Sequence, residues 1–336
     1  MTEQVYDLKG REIIVVGGGG YIGAHVCKTI AESNGTPIVF DNFQAGHKHA
    51  VKWGPHVTVD LRDRAATLMA FQTYSKVETV VHLASSIEVG EGENQPEGFY
   101  ENNVSGALNL LMAMRKTKAN RLIFSSTCAT YGETQNMPLL ESEIQNPFSV
   151  YGKTKLAIEH LVQSYHKAYG LNYVTFRYFN ASGADASGEI GEEHDPETHL
   201  IPNALKAAAG LGSRMKLFGT DYDTPDGTCV RDYIHVNDIA LAHICAIRAM
   251  DDGLSQAEVN LGTGEGYSVL QIINAIEEVT GLAVPYDEGP RREGDLTQLF
   301  ADAARAEEIL GFKPQHSSLE NIIQTAWNFH KNNWGV

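Results

Sequence analysis

Short apolar runs without polar alternation restrict the fold of this 336-residue chain more than any other feature. They fall at residues 12–16, 37–40, 57–59, 79–83 and 121–124, with helix-patterned stretches between them, and a sixth follows at 173–178. Strands of this texture have no solvent face, as in a parallel sheet covered by helices on both sides. The expected class is therefore α/β, a doubly wound parallel sheet. Length favours two units, expected at 1–180 and 181–336, the second smaller. Gly and acidic residues crowd 184–195, which reads as a long loop into the second unit. Helices are expected there at 202–211, 236–250, 269–280 and 319–333. Residues 258–261 are expected to return to the main sheet, so segments of the second unit pack back on the first.

Charge limits the partners. Lys and Arg total 26 against 42 Asp and Glu, a formal −16, and such a field repels nucleic acid and anionic membranes. An anionic ligand then needs a local cluster of positive groups. Cys27, Cys128, Cys229 and Cys245 are far apart and fit no CxxC spacing, which suits free thiols in a reducing compartment. With no apolar stretch of the ~20 residues a membrane span needs, a cytoplasmic protein is expected. None of the thirteen histidines pairs at i,i+4 with a neighbouring glutamate in the manner of a zinc helix, so no metal site is expected.

The first strand runs directly into Gly17-Gly18-Gly19-Gly20-Tyr21-Ile22-Gly23, where a helical pattern begins. Glycines at 17, 20 and 23 suit a tight turn, close backbone approach to a pyrophosphate and close helix–strand packing. Free amides at the helix start complement the phosphate charge. Asp41 ends the second strand, followed by Asn42, where a carboxylate accepts hydrogen bonds from ribose hydroxyls and repels a 2′-phosphate. A Rossmann-type unit preferring NAD over NADP is expected, although His47, Lys48 and His49 leave NADP open. Asp60 has two readings, an adenine contact or a surface-turn carboxylate.

The fifth strand ends in Ser125-Ser126-Thr127-Cys128-Ala129, at the sheet edge where doubly wound folds bind ligands. One of these hydroxyls is positioned to hydrogen-bond a reacting oxygen. Tyr151 and Lys155 follow at i,i+4, which places phenol and ammonium on one helix face. Ile158, Val162 and Tyr165 continue that face inward. The ammonium is expected to lower the phenol's pKa, so that Tyr151 takes a proton from an alcohol while hydride leaves the same carbon.

The glycine loop, Asp41-Asn42, the Ser-Ser-Thr strand end and Tyr151-Gly152-Lys153-Thr154-Lys155 together resemble the extended short-chain dehydrogenase/reductase family. Arg177-Tyr178-Phe179-Asn180, Gly227-Thr228-Cys229-Val230-Arg231-Asp232-Tyr233-Ile234-His235-Val236 and Pro290-Arg291-Arg292-Glu293-Gly294-Asp295 resemble its branch acting on UDP-sugars at carbon 4. The likeness runs from about Arg11 to the C-terminal helix. It implies Tyr151 as base, Lys155 as the residue holding the nicotinamide ribose, and Thr127 as the partner of the sugar oxygen. It adds Leu61, Leu83, Asn103 and Tyr178 to the dinucleotide contacts. Asn180, Arg231, Arg292 and Asp295 are implied to hold the UDP part, with His199, Leu200, Lys216, Leu217 and Phe218 at nucleotide positions. Guanidiniums match phosphate oxygens by geometry.

The implied reaction is reversible NAD-dependent epimerisation of UDP-glucose and UDP-galactose, with UDP-pentoses as the alternative and a non-catalytic dinucleotide sensor as a remoter one. The resemblance also implies a homodimer through two helices per chain, 103–114 and the one starting at Tyr151. Ile87 stands where some members carry a lysine near the cofactor. Leu299 stands where the family has either a tyrosine or a small residue admitting N-acetylated sugars, and suggests an unmodified hexose.

Overall fold

The computed structural model describes residues 6–134, 136–292 and 294–336; Glu293 of the motif quoted above lies outside them. In chain order the first part contains β1 Glu12–Val16, α1 Tyr21–Glu32, β2 Thr36–Asp41, β3 His56–Thr58, α2 Arg64–Thr73, β4 Thr79–His82, α3 Val89–Asn94, α4 Pro96–Phe99, α5 Gly106–Met114, β5 Arg121–Thr127, α6 Val150–Tyr169 and β6 Asn172–Tyr178. The second part contains β7 Asn180–Ser182, α7 Leu200–Ala208, β8 Met215–Phe218, β9 Val230–Arg231, β10 Tyr233–His235, α8 Val236–Asp251, β11 Gln256–Leu261, β12 Tyr267–Ser268, α9 Val269–Thr280, β13 Tyr286–Gly289, β14 Gln298–Leu299, α10 Ala304–Leu310 and α11 Leu319–Trp334.

Seven strands form the central sheet in the order β11-β6-β5-β4-β1-β2-β3, and every pairing is parallel. The runs of the inner strands are buried, with Ile14, Val15, Val80 and Val81 at no exposure, whereas the edge strand β3 is partly exposed. On one face Val26 and Ile30 of α1 meet Ile239, Ile244 and Ile247 of α8. On the other, Phe71 of α2, Leu110 and Leu111 of α5, and Ile158 and Val162 of α6 form a second core. Each such side chain contributes roughly 1.5–3 kcal/mol by leaving water.

The order reverses between β1 and β4, and this switch point opens a crevice at the strands' carboxyl ends. β11 lies beside β6, as residues 258–261 were expected to, and α8 packs on α1. Residues 236–261 therefore sit on the sheet although they follow residue 180. The remaining second part has its own core of Ile201, Leu205, Ile272, Ile276, Ile322 and Ile323. Its strands, β7 to β10 and β12 to β14, are short, two to four residues, and too brief to show a pattern in sequence.

Two helix boundaries differ from expectation. Pro202 lies inside α7, which begins at Leu200; a proline in the first turn lacks only an amide that would have no helical partner anyway. The helix expected from residue 103 starts as α5 at Gly106, after a π-helical turn over Tyr100–Ser105. That wider turn presents Asn103 inward, where its carboxamide joins Ser86 to Thr154 of α6.

Candidate active site

The glycine loop is shaped by contacts that exclude a Cβ. Gly17 has φ +84°, and a Cβ on it would lie 2.6 Å from the Ala84 amide nitrogen, so the loops after β1 and β4 meet there. A Cβ on Gly23 would stand 2.0 Å from the Gly17 carbonyl oxygen, which forces glycine where α1 crosses the loop. Gly20 caps α1 without a side-chain hydrogen bond, leaving first-turn amides of Tyr21 and Ile22 directed at the crevice. The Asp41 carboxylate accepts from Gly19 N at 2.9 Å and Phe43 N at 2.8 Å, fixing loop and strand end together. A backbone cradle, a helix N-terminus and a ribose-facing acid fit a dinucleotide.

Other residues expected at this end lie around it. Leu83 N–H donates to the Val16 carbonyl at 2.8 Å, which places it beside the glycine loop. Leu61 is buried against Gly106. Asp60 lies beyond the end of β3 and is held by Arg62, at 2.6 Å, and by Asn42. Hydrogen bonding from Arg62 brings its pKa down to about 2, so Asp60 is a permanent anion within a surface turn. His49 and His47 bond the side chain and carbonyl of Glu193, and Lys48 lies over Phe43; none is poised as a dedicated 2′-phosphate ligand.

At the reacting end, Ser149 caps α6 by accepting from Gly152 N at 3.1 Å. Gly152 is required because a Cβ there would stand 2.6 Å from the Ala129 carbonyl oxygen. Its absence lets α6 press on the turn after β5, which brings Tyr151 beside Thr127. Lys155 is 1% exposed and donates to the Ser125 carbonyl at 2.8 Å. Its nitrogen is 5.8 Å from the Tyr151 ring centre and 5.2 Å from that of Phe124. Thus Thr127, Tyr151 and Lys155, separate in sequence, converge at the carboxyl edge of β5.

The electrostatics correct one expectation. Burial lowers the Lys155 ammonium to about 7, against an opposing pull from Glu159. Burial likewise raises the Tyr151 phenol, with the Thr127 hydrogen bond opposing it and the charge of Glu88 adding to it. Desolvation therefore outweighs ammonium–phenol attraction in the free chain. Sequence spacing identifies the pair but carries no information on how dry its surroundings are.

Beneath the pair runs a support that sequence reasoning missed. Glu159, one turn beyond Lys155, pairs with Arg177 at 2.8 Å with both side chains nearly sealed, and it accepts from Ser126. Arg177 also donates to the Tyr131 hydroxyl at 2.9 Å, which donates to Asn260 at 2.6 Å. This network ties α6, β5, β6 and β11 under the site. Its one sequence signal was the i,i+4 step from Lys155 to Glu159. Tyr178 is buried with its hydroxyl 2.9 Å from His243 Nε2, so its side chain faces the α8 layer.

The second part supplies the polar far wall. Arg231 does not pair with the adjacent Asp232, whose carboxylate is taken by Thr263, Gly264 and Ala301 amides. It meets Asp295 at 3.1 Å instead, and also donates to the carbonyls of Val230 and Leu296. Arg292 is exposed, its guanidinium 4.0 Å from the Phe218 ring centre. Gly294 approaches Phe148, just before α6, so the arginine-bearing loop faces the catalytic helix. Leu299 pairs with Arg231 across β9 and β14 and packs in a cluster with Tyr131, Phe179 and Cys128. Asn180 opens β7, its amide bonded to the Asp232 carbonyl at 2.9 Å.

Three expected nucleotide positions divide by strand face. Lys216 and Phe218 share one face of β8, while the Leu217 side chain is 1% exposed in the core; only its backbone can meet a ligand. Leu200 packs against the second part's own core. His199 caps α7 and is drawn into another group: its Nδ1 is 2.9 Å from both Glu192 and Glu197. His194 Nδ1 joins them, 3.3 Å from Glu192 and 3.8 Å from Glu197.

Fold and site define a dinucleotide-binding enzyme of the doubly wound class. Residues 13–262 match the NAD dependent epimerase/dehydratase family, and the chain belongs to that family. The UDP-glucose 4-epimerase of Rhizobium leguminosarum bv. trifolii is 47% identical, over 96% of this chain and 98% of its own length. The crystal structure of UDP-glucose 4-epimerase from Brucella ovis in complex with NAD superposes with TM-score 0.93 at 48% identity, covering 95% of this chain and 98% of that one. The Stenotrophomonas maltophila UDP-glucose-4-epimerase, with NAD and formylated UDP-arabinopyranose, gives TM-score 0.93 at 36% identity over 97% and 99%.

Proposed function

We propose that this chain is an NAD-dependent UDP-sugar 4-epimerase whose principal substrates are UDP-glucose and UDP-galactose. The observation that carries the reading is the convergence of Thr127, Tyr151 and Lys155 at the sheet edge, with Arg231, Arg292 and Asp295 in the far wall. Family membership and relatives of the same named activity along nearly the whole chain support it.

Bound NAD supplies a hydride acceptor that gives the same hydride back. Gly17 to Gly23 and Asp41 would hold it, and Lys155 would bind its ribose. Tyr151, beside Thr127, removes the proton of the sugar 4-hydroxyl and later returns it. With NAD bound, Lys155 and Thr127 would favour the charged phenolate of Tyr151, in opposition to the burial that raises it. Arg231 and Arg292 anchor the diphosphate while the 4-keto sugar turns between faces, with Leu299 bounding the sugar pocket. Asn180, Phe218 and the 199–200 turn contact the nucleotide.

Purified protein should convert UDP-galactose to UDP-glucose without added reductant. Failure to interconvert any UDP-hexose or UDP-pentose sinks the proposal. A pentose preference is the second reading, left open because the strand end Thr127-Cys128-Ala129 resembles both hexose- and pentose-acting epimerases, and a side-by-side assay with UDP-xylose decides it. We also propose a homodimer through α5 and α6, whose outer surface exposes Leu108 and Tyr169, checked by light scattering. Four free cysteines, and no helix among the described residues long and apolar enough to cross a membrane, support a cytoplasmic location.

A further inference from the structure

We infer that Glu192, His194, Glu197 and His199 form a binding site for one divalent transition-metal ion, zinc being the best match. None of its four residues belongs to the Thr127–Tyr151–Lys155 centre, and only His199 is also assigned to the nucleotide contacts. It lies on the segment between β7 and α7, and its four donor atoms are all within 4.8 Å of one another.

The spacing resembles a coordination shell. Nitrogen–oxygen separations are 2.9, 2.9, 3.3 and 3.8 Å. Ligands ~2.0–2.1 Å from a tetrahedral zinc stand roughly 3.3–3.4 Å apart, so small side-chain adjustments suffice. Both imidazoles present Nδ1 to the same two carboxylates. The buried His194 Nδ1 makes no well-formed hydrogen bond there.

Charge points the same way. The two imidazole ring centres are 4.9 Å apart. A dication balances two carboxylates while both rings stay neutral, the form that binds metal. Two nitrogen donors favour zinc and similar ions over magnesium or calcium. Glu192 is 5% exposed, unlike an ordinary surface acid.

The surroundings hold the donors in place. The His199 amide donates to Glu197 Oε1 at 2.8 Å, and Asn203 bonds the Glu197 and His199 carbonyls. Phe329 lies so close to Gly191 that a Cβ there would approach to 2.4 Å. The Tyr21 ring stands edge-on to His194, and its hydroxyl donates to the Gly183 carbonyl at 2.6 Å. A metal here fastens the 183–199 segment between α7 and the start of α1, beside the glycine loop. The signature Glu-x-His-x-x-Glu-x-His lies in a loop, outside the helical spacing by which no metal was expected.

Tag-free holoprotein dialysed against chelator and then incubated with zinc should retain one equivalent through gel filtration. Cobalt(II) in its place should give the strong visible bands of a tetrahedral nitrogen–oxygen site. His194→Ala and Glu197→Gln should each weaken retention roughly tenfold or more while bound NAD stays at wild-type level. Absence of retained zinc and of tetrahedral cobalt bands in the wild type overturns the site, as does equal retention by NAD-loaded variants. If a variant loses NAD and fold together, the wild-type cobalt spectrum decides.

Discussion

The two ends of the ligand crevice are built from different materials. The dinucleotide end is backbone: glycines at van der Waals limits, helix amides, and Asp41 held by two amides. The end proposed for UDP consists of long side chains, Arg231 on a two-residue strand and Arg292 and Asp295 on the loop before β14. Backbone packing fixes a cofactor that stays through each cycle, with almost no adjustable parts. Guanidiniums on short supports suit the proposed grip on a diphosphate, which would leave the sugar free to turn. The first end should fail abruptly when altered, and the second by degrees.

Gly23→Ala tests the abrupt case. With a Cβ placed 2.0 Å from a carbonyl oxygen, it should abolish bound NAD and lower stability by about 3 kcal/mol, read by absorbance and thermal melting; retained NAD breaks the contrast. Tyr151→Phe, between the two ends, should keep NAD and fold while kcat falls by ~10² or more. Unchanged kcat removes Tyr151 from its role. Arg231→Ala should raise the UDP inhibition constant by about ten- to a hundredfold through lost charged hydrogen bonds, leaving NAD content intact.

A smaller effect is expected at the clamp under the sheet, where Asp251 meets Arg11 at 2.8 Å, Arg121, and the Tyr6 hydroxyl. Burial raises this carboxyl, but its three partners outweigh that and leave it at about 2. Its folded pKa is below the unfolded value of 3.8, so its stabilisation is complete above that pH and fades as pH falls through about 2. Asp251→Asn should cost about 1–2 kcal/mol at pH 7, and the difference from wild type should shrink in acid. The smallest change is Leu299→Ser, which should raise relative activity on UDP-N-acetylhexoses a few-fold; no change assigns the pocket limit to another residue.

The same division governed what could be read before the structure. The cofactor end is one contiguous phrase with Asp41 shortly after it, because turn, helix start and close approach involve neighbouring residues. Tyr151 and Lys155 were legible for the same reason. Gly152 looked like part of a motif, whereas its function is steric: it lets α6 reach the β5 turn. The far wall was legible only through resemblance, since Arg231 and Asp295 are joined by folding across 64 residues. The Arg177–Glu159–Tyr131–Asn260 network had no local pattern beyond one helical step.

By itself the sequence determined the parallel sheet, the glycine cradle and the phenol–ammonium spacing, because each follows from steric and hydrogen-bonding rules acting over a few residues. Tertiary structure alone decided the protonation tendencies of that pair, the partner of Arg231, the inward-facing Asn103, and the meeting of two glutamates with two histidines. Each depends on desolvation or on contact between distant segments, and neither quantity exists until the chain has closed around them.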